Sequence, residues 1–167
     1  MNNKLSLNDI SIRTELQPGD MGYVIYLHGL LYSKEYNFGI QFEDYVAKGL
    51  IEFKEQYDPK RSRVWVCEDN SKMTGFLLLM DRGEAAQLRY FLIDHEYRGI
   101  GLGYHLMNLY MDFLRECNYK SSYLWTTSEL HTALSLYQRF GFQLTEEKES
   151  TSFGKLVTEQ RYDLSLP

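Results

Sequence analysis

Cysteine and proline are scarce in this chain, with two of the first and three of the second among 167 residues. Cys67 and Cys117 form no CxxC pair and stand in no Cys/His spacing that suggests a metal or a disulfide framework. They read as free, buried thiols in a reducing cytoplasm, where disulfides are rare. No apolar run approaches the roughly 20 residues needed to cross a bilayer. The opening stretch, Met1 to Leu7, is short and polar, so no signal peptide is expected. A basic stripe is also missing and the formal charge is −5, which argues against a nucleic-acid partner. Repeats, low-complexity tracts and long linkers do not occur.

What is present suits one folded unit. The apolar fraction is 44% and there are fourteen tyrosines, so disorder is not expected. We expect a single domain over residues 1–167, with its core from about 10 to 164.

Ile10 and Ile12 alternate with polar residues in a short strand that ends near Pro18-Gly19. From Asp20, read as an N-cap, to Tyr36 the apolar residues recur at helical spacing. Phe42 to Tyr57 predicts a second helix, closed by Asp58-Pro59. Arg63–Glu68, Gly75–Met80 and Ala86–Ile93 then read as an antiparallel meander joined by tight turns. A helix to about Cys117, a strand at Tyr123–Thr126 and a helix over Glu129–Phe140 follow, the last stopping at Gly141. Phe142–Glu147 and Leu156–Leu164 are closing strands. This order predicts a mixed α/β fold, one layer of sheet with helices on its faces.

The densest chemical signal is Tyr97-Arg98-Gly99-Ile100-Gly101-Leu102-Gly103, set between an apolar strand and an amphipathic helix. Glycines at alternate positions let a backbone come close to another group. The following helix turns its free N–H groups and the positive end of its dipole into the loop, which suits a phosphate. The run offers neither the dinucleotide pattern G-x-G-x-x-G nor the P-loop G-x-x-x-x-G-K-[ST]. It reads R-x-x-G-x-G through Arg98, Gly101 and Gly103.

That pattern resembles the pyrophosphate-binding signature of the GCN5-related N-acetyltransferase (GNAT) family. The resemblance runs from about Ile10 to Leu164 and is strongest from Ala86 to Phe142. Gln87-Leu88-Arg89, the glycine loop, Leu124-Trp125-Thr126, Leu136-Tyr137 to Gly141-Phe142 and Ser152-Phe153-Gly154 look most like modules that some bacterial proteins carry behind a MarR-like DNA-binding domain. His28 to Tyr36 looks like the same subgroup. With no room for a winged helix, this chain resembles such a module standing alone.

The resemblance implies a mixed, mostly antiparallel sheet of six to seven strands with helices on both faces. Two central parallel strands, Ala86–Ile93 and Tyr123–Thr126, would splay into a V-shaped cleft for acetyl-CoA. Phe91, Leu92 and Ile93 match the backbone positions that pair with pantetheine. The main-chain N–H groups of Arg98, Gly99, Ile100, Gly101, Leu102 and Gly103 match those that hold the pyrophosphate. Tyr137, in A-x-x-x-Y-x-x-x-G-F, matches the tyrosine beside the CoA sulfur, where a phenol can protonate the departing thiolate as general acid. An asparagine common in the family is Leu130 here, with Thr127, Ser128 or His131 as replacements.

A general base must take a proton from the attacking ammonium. Glu84 and Glu35 are the named candidates, with His28 and Glu43 also on the table. Arg89, Gln87, Tyr32 and Glu35 are candidate acceptor-binding residues, Arg89 for an acceptor carboxylate. Gln87 and Arg89 alternate on one face of their strand. His95 and His105 read as solvent-facing, and Trp65 and Trp125 as core. The expected activity is transfer of acetyl from acetyl-CoA to a primary amine of a small molecule or peptide. No metal, nucleic acid or membrane is called for, and a homodimer is common among relatives. The competing reading is a non-catalytic acyl-CoA-binding regulatory module; a third, ATP binding, lacks the P-loop lysine.

Overall fold

Residues within Arg63–Asp69 (β2) and Lys72–Arg82 (β3) alternate between two separate cores. Val64, Val66, Phe76, Leu78 and Met80 join one apolar cluster, whereas Trp65, Cys67, Leu77 and Leu79 join the other. Period-two alternation sends successive side chains to opposite faces, so a sheet apolar on both faces must be covered on both. One cover is the helix pair α1 (Asp20–Tyr36) and α2 (Ile40–Glu55), through Val24, Leu27, Phe42, Val46, Leu50 and Phe53. The other is α3 (Leu102–Glu116), through Leu102, Leu106, Met107, Tyr110, Phe113 and Leu114, with α4 (His131–Arg139) adding Tyr137. Val46 and Leu50 have no exposed surface; truncating Leu50 to alanine costs about 2–5 kcal/mol.

The computed structural model describes residues 5–167; Met1 to Lys4, which begin the polar opening stretch, lie outside the described residues. The other strands are β1 (Ser11–Arg13), β4 (Ala85–Ile93), β5 (Ser121–Thr127), β6 (Gln143–Ser150) and β7 (Val157–Ser165). They form a seven-stranded sheet in the order β1-β2-β3-β4-β5-β7-β6. Among the described residues only the β4–β5 pair is parallel.

Element order agrees with the sequence reading; several ends move. Asn70 and Ser71 both take positive φ (48° and 66°), a two-residue hairpin turn that carries β2 and β3 right up to it. The N-cap of α1 is Gly19 at φ 96°, not Asp20. Asp20 is the first helical residue instead; its carboxylate accepts the Gln17 N–H at 2.6 Å and two Arg13 bonds at 2.7 Å. α2 closes at Glu55 with Gln56 as its C-cap, ahead of the Tyr57 end that the sequence predicts and of Asp58-Pro59. Cys67 is buried, but Cys117 is only half-buried; both are free.

Two irregularities shape the centre of the sheet. β4 and β5 pair at Ala85–Ser121, Ala86–Ser122 and Gln87–Tyr123 and no further, so the strands part beyond Gln87. Tyr90 takes φ 54° at a bulge where β4 slips against β3. A left-handed tyrosine costs about 1–2 kcal/mol, and the bulge turns Arg89 and Tyr90 toward the same side of the sheet. Tyr90 then packs with the α1/α2 core, and Phe91 returns to the α3/α4 side.

Candidate active site

The parting of β4 from β5 opens a cleft of about 580 Å³. Phe91, Leu92 and Ile93 line it from β4, and Arg98, Gly99, Gly101, Leu102 and Gly103 from the loop. Leu136 and Arg139 of α4 and Tyr32 and Glu35 of α1 complete the walls. Because the β5 partner is gone, the strand edge from Phe91 to Ile93 offers main-chain groups to a ligand running alongside it.

At the end of this edge the loop exposes a run of donors. The N–H groups from Gly99 through Tyr104 donate to no backbone carbonyl, and the first turn bond is His105 N–H to Gly101 O at 3.0 Å. Free N–H groups at a helix start, with the dipole behind them, make an anion cradle. The glycines divide the work. Gly99 (φ 79°) and Gly101 (φ 89°) supply the left-handed turn with open space where a Cβ would lie. Gly103 lets α3 pack within 3.3 Å of Leu136 and 3.4 Å of Ile93 as measured from its missing Cβ.

Two expected cradle members behave differently. The Arg98 N–H is already taken by His95 O at 3.3 Å, and Ile100 packs against the apolar core rather than lining the cleft. The Arg98 guanidinium grips Glu35 at 2.7 and 2.9 Å and donates through Nε to Ile93 O at 3.0 Å. Its pKa is raised, first by the Glu35 hydrogen bonds.

A second, smaller cavity of about 80 Å³ lies on the α1/α2 side, and Tyr32, Phe91 and Leu130 line both spaces. Tyr137 lines this second cavity, at the junction, rather than the long cleft. It is buried with its ring 6.2 Å from Phe91, and burial pushes its phenol pKa up, so it keeps its proton. Gln87, Arg89, Tyr90, Trp125, Thr127 and Glu159 face the same cavity. Trp125 is therefore a wall of the site and not a core residue, whereas Trp65 is buried as expected.

The acidic candidates sort by position. Glu84 sits in the exposed turn between β3 and β4 and lines neither space. Glu35 lines the long cleft, and both its oxygens are held by Arg98. Glu43 lies against Gly29 in the α1–α2 contact, outside both spaces. His28 lines the small cavity, fully buried; its Nδ1 bonds Val24 O at 2.8 Å, which leaves Nε2 without a proton or partner. Burial lowers its pKa to about 4, so the ring stays neutral and is a weak base. Of the positions read as stand-ins for the family asparagine, Thr127 reaches the cavity; Ser128 and His131 line neither space.

Sequence reading missed Glu159, the one carboxylate that lines the small cavity. It sits on β7 opposite Thr127 and forms none of the ion pairs among the described residues. Nothing in its local sequence separates it from other strand glutamates. Tyr45, Tyr90 and Phe153 were likewise unmarked wall residues. Among the described residues no group of three or more His, Cys, Asp or Glu could hold a metal ion. Nor is any helix long and apolar enough to cross a membrane.

A splayed parallel strand pair, a helix-start anion cradle and an adjoining pocket with a proton-bearing tyrosine define an acyl-CoA transferase architecture. Residues 22–142 match the acetyltransferase (GNAT) family, and the chain belongs to that family. A protein of Methanocaldococcus jannaschii described as an uncharacterized N-acetyltransferase is 30% identical over 92 residues, 51% of this chain and 39% of that one. The matches span between 39% and 63% of the length of the curated relatives. A GNAT acetyltransferase structure from Staphylococcus aureus superposes with a TM-score of 0.78 at 22% identity, covering 95% of this chain and 99% of that one. The spermidine N-acetyltransferase of Vibrio cholerae, solved with CoA and spermine, gives 0.69 at 22% identity over 95% and 96%. The fold is thus the mixed α/β GNAT fold.

Proposed function

We propose that this chain is an acetyl-CoA-dependent N-acetyltransferase, one catalytic domain that moves an acetyl group to a primary amine by direct attack. The observation that carries the reading is the junction. A cleft ending in free N–H groups from Gly99 to Tyr104 adjoins, through Tyr32, Phe91 and Leu130, an aromatic pocket that Tyr137 lines. The loop N–H groups hold the pyrophosphate, and the open edge from Phe91 to Ile93 pairs with the pantetheine arm. The thioester carbonyl then lies near the β4 bulge, where main-chain N–H groups can polarise it.

In the transfer, an N–C bond forms and the C–S bond breaks. The ammonium gives one proton to the Glu159 carboxylate and attacks as the neutral amine. The second nitrogen proton then passes by way of the Tyr137 hydroxyl to the departing thiolate, so that CoA leaves as the thiol and the phenol is restored. Glu159 replaces Glu84 and Glu35 in the base role because it is the carboxylate that faces the pocket. Gln87 has a supporting part: its Oε1 accepts Arg82 Nε at 3.0 Å and the Tyr123 hydroxyl at 3.4 Å.

Within the family we read the chain as nearest the modules carried behind MarR-like domains, on Gln87-Leu88-Arg89, Leu124-Trp125-Thr126 and Ser152-Phe153-Gly154. Free thiols favour a reducing compartment, hence the cytoplasm. A charge of −5 opposes a polyanionic partner, and the acceptor is a primary amine of a small molecule or peptide.

Thiol release with acetyl-CoA, measured against amines, amino acids, polyamines and peptides, tests the reading. Tyr137→Phe should lower kcat by about 10² or more and leave CoA binding unchanged. Full activity in that variant removes Tyr137 from the mechanism. Tight CoA binding with no release for any acceptor assigns the chain to the non-catalytic module instead. Stabilisation by ATP beyond that by CoA overturns the donor.

A further inference from the structure

Side-chain polar atoms buried without a hydrogen-bond partner fall mostly on residues that line the small cavity. Five of the eight such atoms among the described residues, on His28, Arg89, Tyr90, Thr126 and Thr127, belong to residues that line it. Buried polar groups are ordinarily satisfied, so a cluster of exceptions marks where a polar ligand completes the bonding.

Arg89 is the most informative of them. Its side chain is nine-tenths buried, at 10% exposure, yet its one anionic contact is Nη1 to Glu52 at 3.3 Å. Glu52 is shared, bonded more closely by Arg82 at 2.5 Å, so two guanidiniums face one carboxylate and one positive charge is left over. The Arg89 Nε has no partner, and the rings of Tyr90 and Tyr45 stand 4.8 and 5.4 Å from its guanidinium carbon. These rings hold the planar fork in place, and such a fork matches a carboxylate through two parallel bonds.

Glu159 is the complement. Arg89 and Glu159 are the two charged residues that line the cavity, of opposite sign, with aromatic walls between them. The space of about 80 Å³ is small; a cavity of ~150 Å³ holds benzene.

We propose that the acceptor is a compact amino-carboxylate, the chemistry of a free amino acid. Arg89 takes its carboxylate, and its amine turns toward Glu159 and the thioester. The inference rests on the acetyltransferase reading and narrows it. A polyamine would bring a second ammonium against Arg89, and a peptide N-terminus would bring a neutral amide where the carboxylate belongs.

The experiment measures kcat/KM with acetyl-CoA for glycine, L-alanine, L-serine and L-threonine. Each is compared with its methyl ester and its decarboxylated amine, and spermidine and a glycine-led tripeptide complete the set. The free acids should exceed their esters and amines by at least tenfold in the wild type. Arg89→Leu should erase that ratio, and Arg89→Lys should restore part of it, with CoA affinity unchanged in both. Esters, amines or spermidine used as well as the acids overturn the proposal, and this comparison needs no variant. A loss in Arg89→Leu that is equal for acids and amines, in a folded protein that binds CoA, overturns the role of Arg89. Calorimetric titration of the same acids and esters into the CoA-saturated protein separates the two readings. Acids that bind without turnover support the carboxylate site and sink the transferase reading. Turnover of other amines with no binding of any acid does the reverse.

Discussion

Arg98 and Glu35, sixty-three residues apart, are joined by two parallel hydrogen bonds of 2.7 and 2.9 Å that tie the glycine loop to α1. The same guanidinium donates through Nε to Ile93 O at 3.0 Å, so one side chain braces the strand end, the loop and the helix. The sequence alone reads Arg98 as a charge beside a phosphate. Its side chain is instead engaged with Glu35 and Ile93, and the free donors of the loop are the backbone N–H groups from Gly99 to Tyr104.

Glu35→Gln and Arg98→Ala should each raise the Kd for CoA a few-fold, about 1 kcal/mol or less, since the pair is partly exposed. The double variant should be no worse than the weaker single variant, because both remove the same brace. Titration calorimetry of the four proteins measures the cycle. Tighter CoA binding by Glu35→Gln would show instead that the carboxylate competes with the pyrophosphate for Arg98.

Glu159→Gln should lower kcat by about 10² or more while KM for acetyl-CoA holds. The loss should shrink at higher pH, where more of the amine is already deprotonated. Steady-state rates between pH 6 and 10 follow this directly. A pH profile parallel to the wild type would make Glu159 a binding group only.

Gly49 on α2 faces the Tyr90 hydroxyl so closely that a Cβ would overlap it, with Arg89 Nη2 a further 2.7 Å neighbour. Gly49→Ala should therefore destabilise by about 1–3 kcal/mol, despite the helix propensity of alanine. Tyr90→Phe removes a buried hydroxyl that has no partner and should recover part of that loss. Gly29→Ala is the contrast, since there a Cβ meets the flexible side chain of Glu43, which can swing aside. Urea unfolding of the single variants and of the Gly49→Ala, Tyr90→Phe pair reads the order. A Gly49→Ala protein as stable as the wild type would refute the overlap.

His28 carries an acid sensitivity. Its folded-state pKa, about 4, lies below the reference value of 6.5 because burial opposes its charge. The unfolded chain therefore takes up the proton first. Stability is full above about pH 6.5 and falls as pH drops toward 4, by up to about 3 kcal/mol from this group. His28 packs against Tyr32, Phe42 and Tyr90, all aromatic, so His28→Phe should flatten the slope between pH 5 and 7. Unfolding free energies at both ends of that range decide it. Equal slopes for the two proteins would put the sensitivity elsewhere.

Much of the fold was legible along the chain. Short apolar runs of β-forming residues between turns marked β2 and β3, and helical spacing marked α1 through α3, since burial on a repeating face leaves a repeating pattern. The glycine loop was legible for a local reason as well. Gly99 and Gly101 take left-handed backbone that other residues adopt at a cost, so their identities record their conformation. The acceptor side was not legible. Glu159 and Trp125 lie on strands whose alternation shows which residues share a face, but not what stands across from that face. Glu84 falls in the Asp81-Arg82-Gly83-Glu84 turn that the sequence reads there, and only the folded chain shows that this turn is remote from both spaces.

The chain by itself determined the order of elements, the helix-start cradle and the placement of Tyr137 in a recognisable helix. These depend on neighbours within a few residues, where backbone sterics and periodicity act. Only the tertiary structure decided that Arg98 serves Glu35, that Glu159 shares a cavity with Arg89, and that Glu84 shares it with nothing. Those facts depend on how a bulge at Tyr90 and a parted strand pair bring distant segments together, and contacts across dozens of residues leave no period to read.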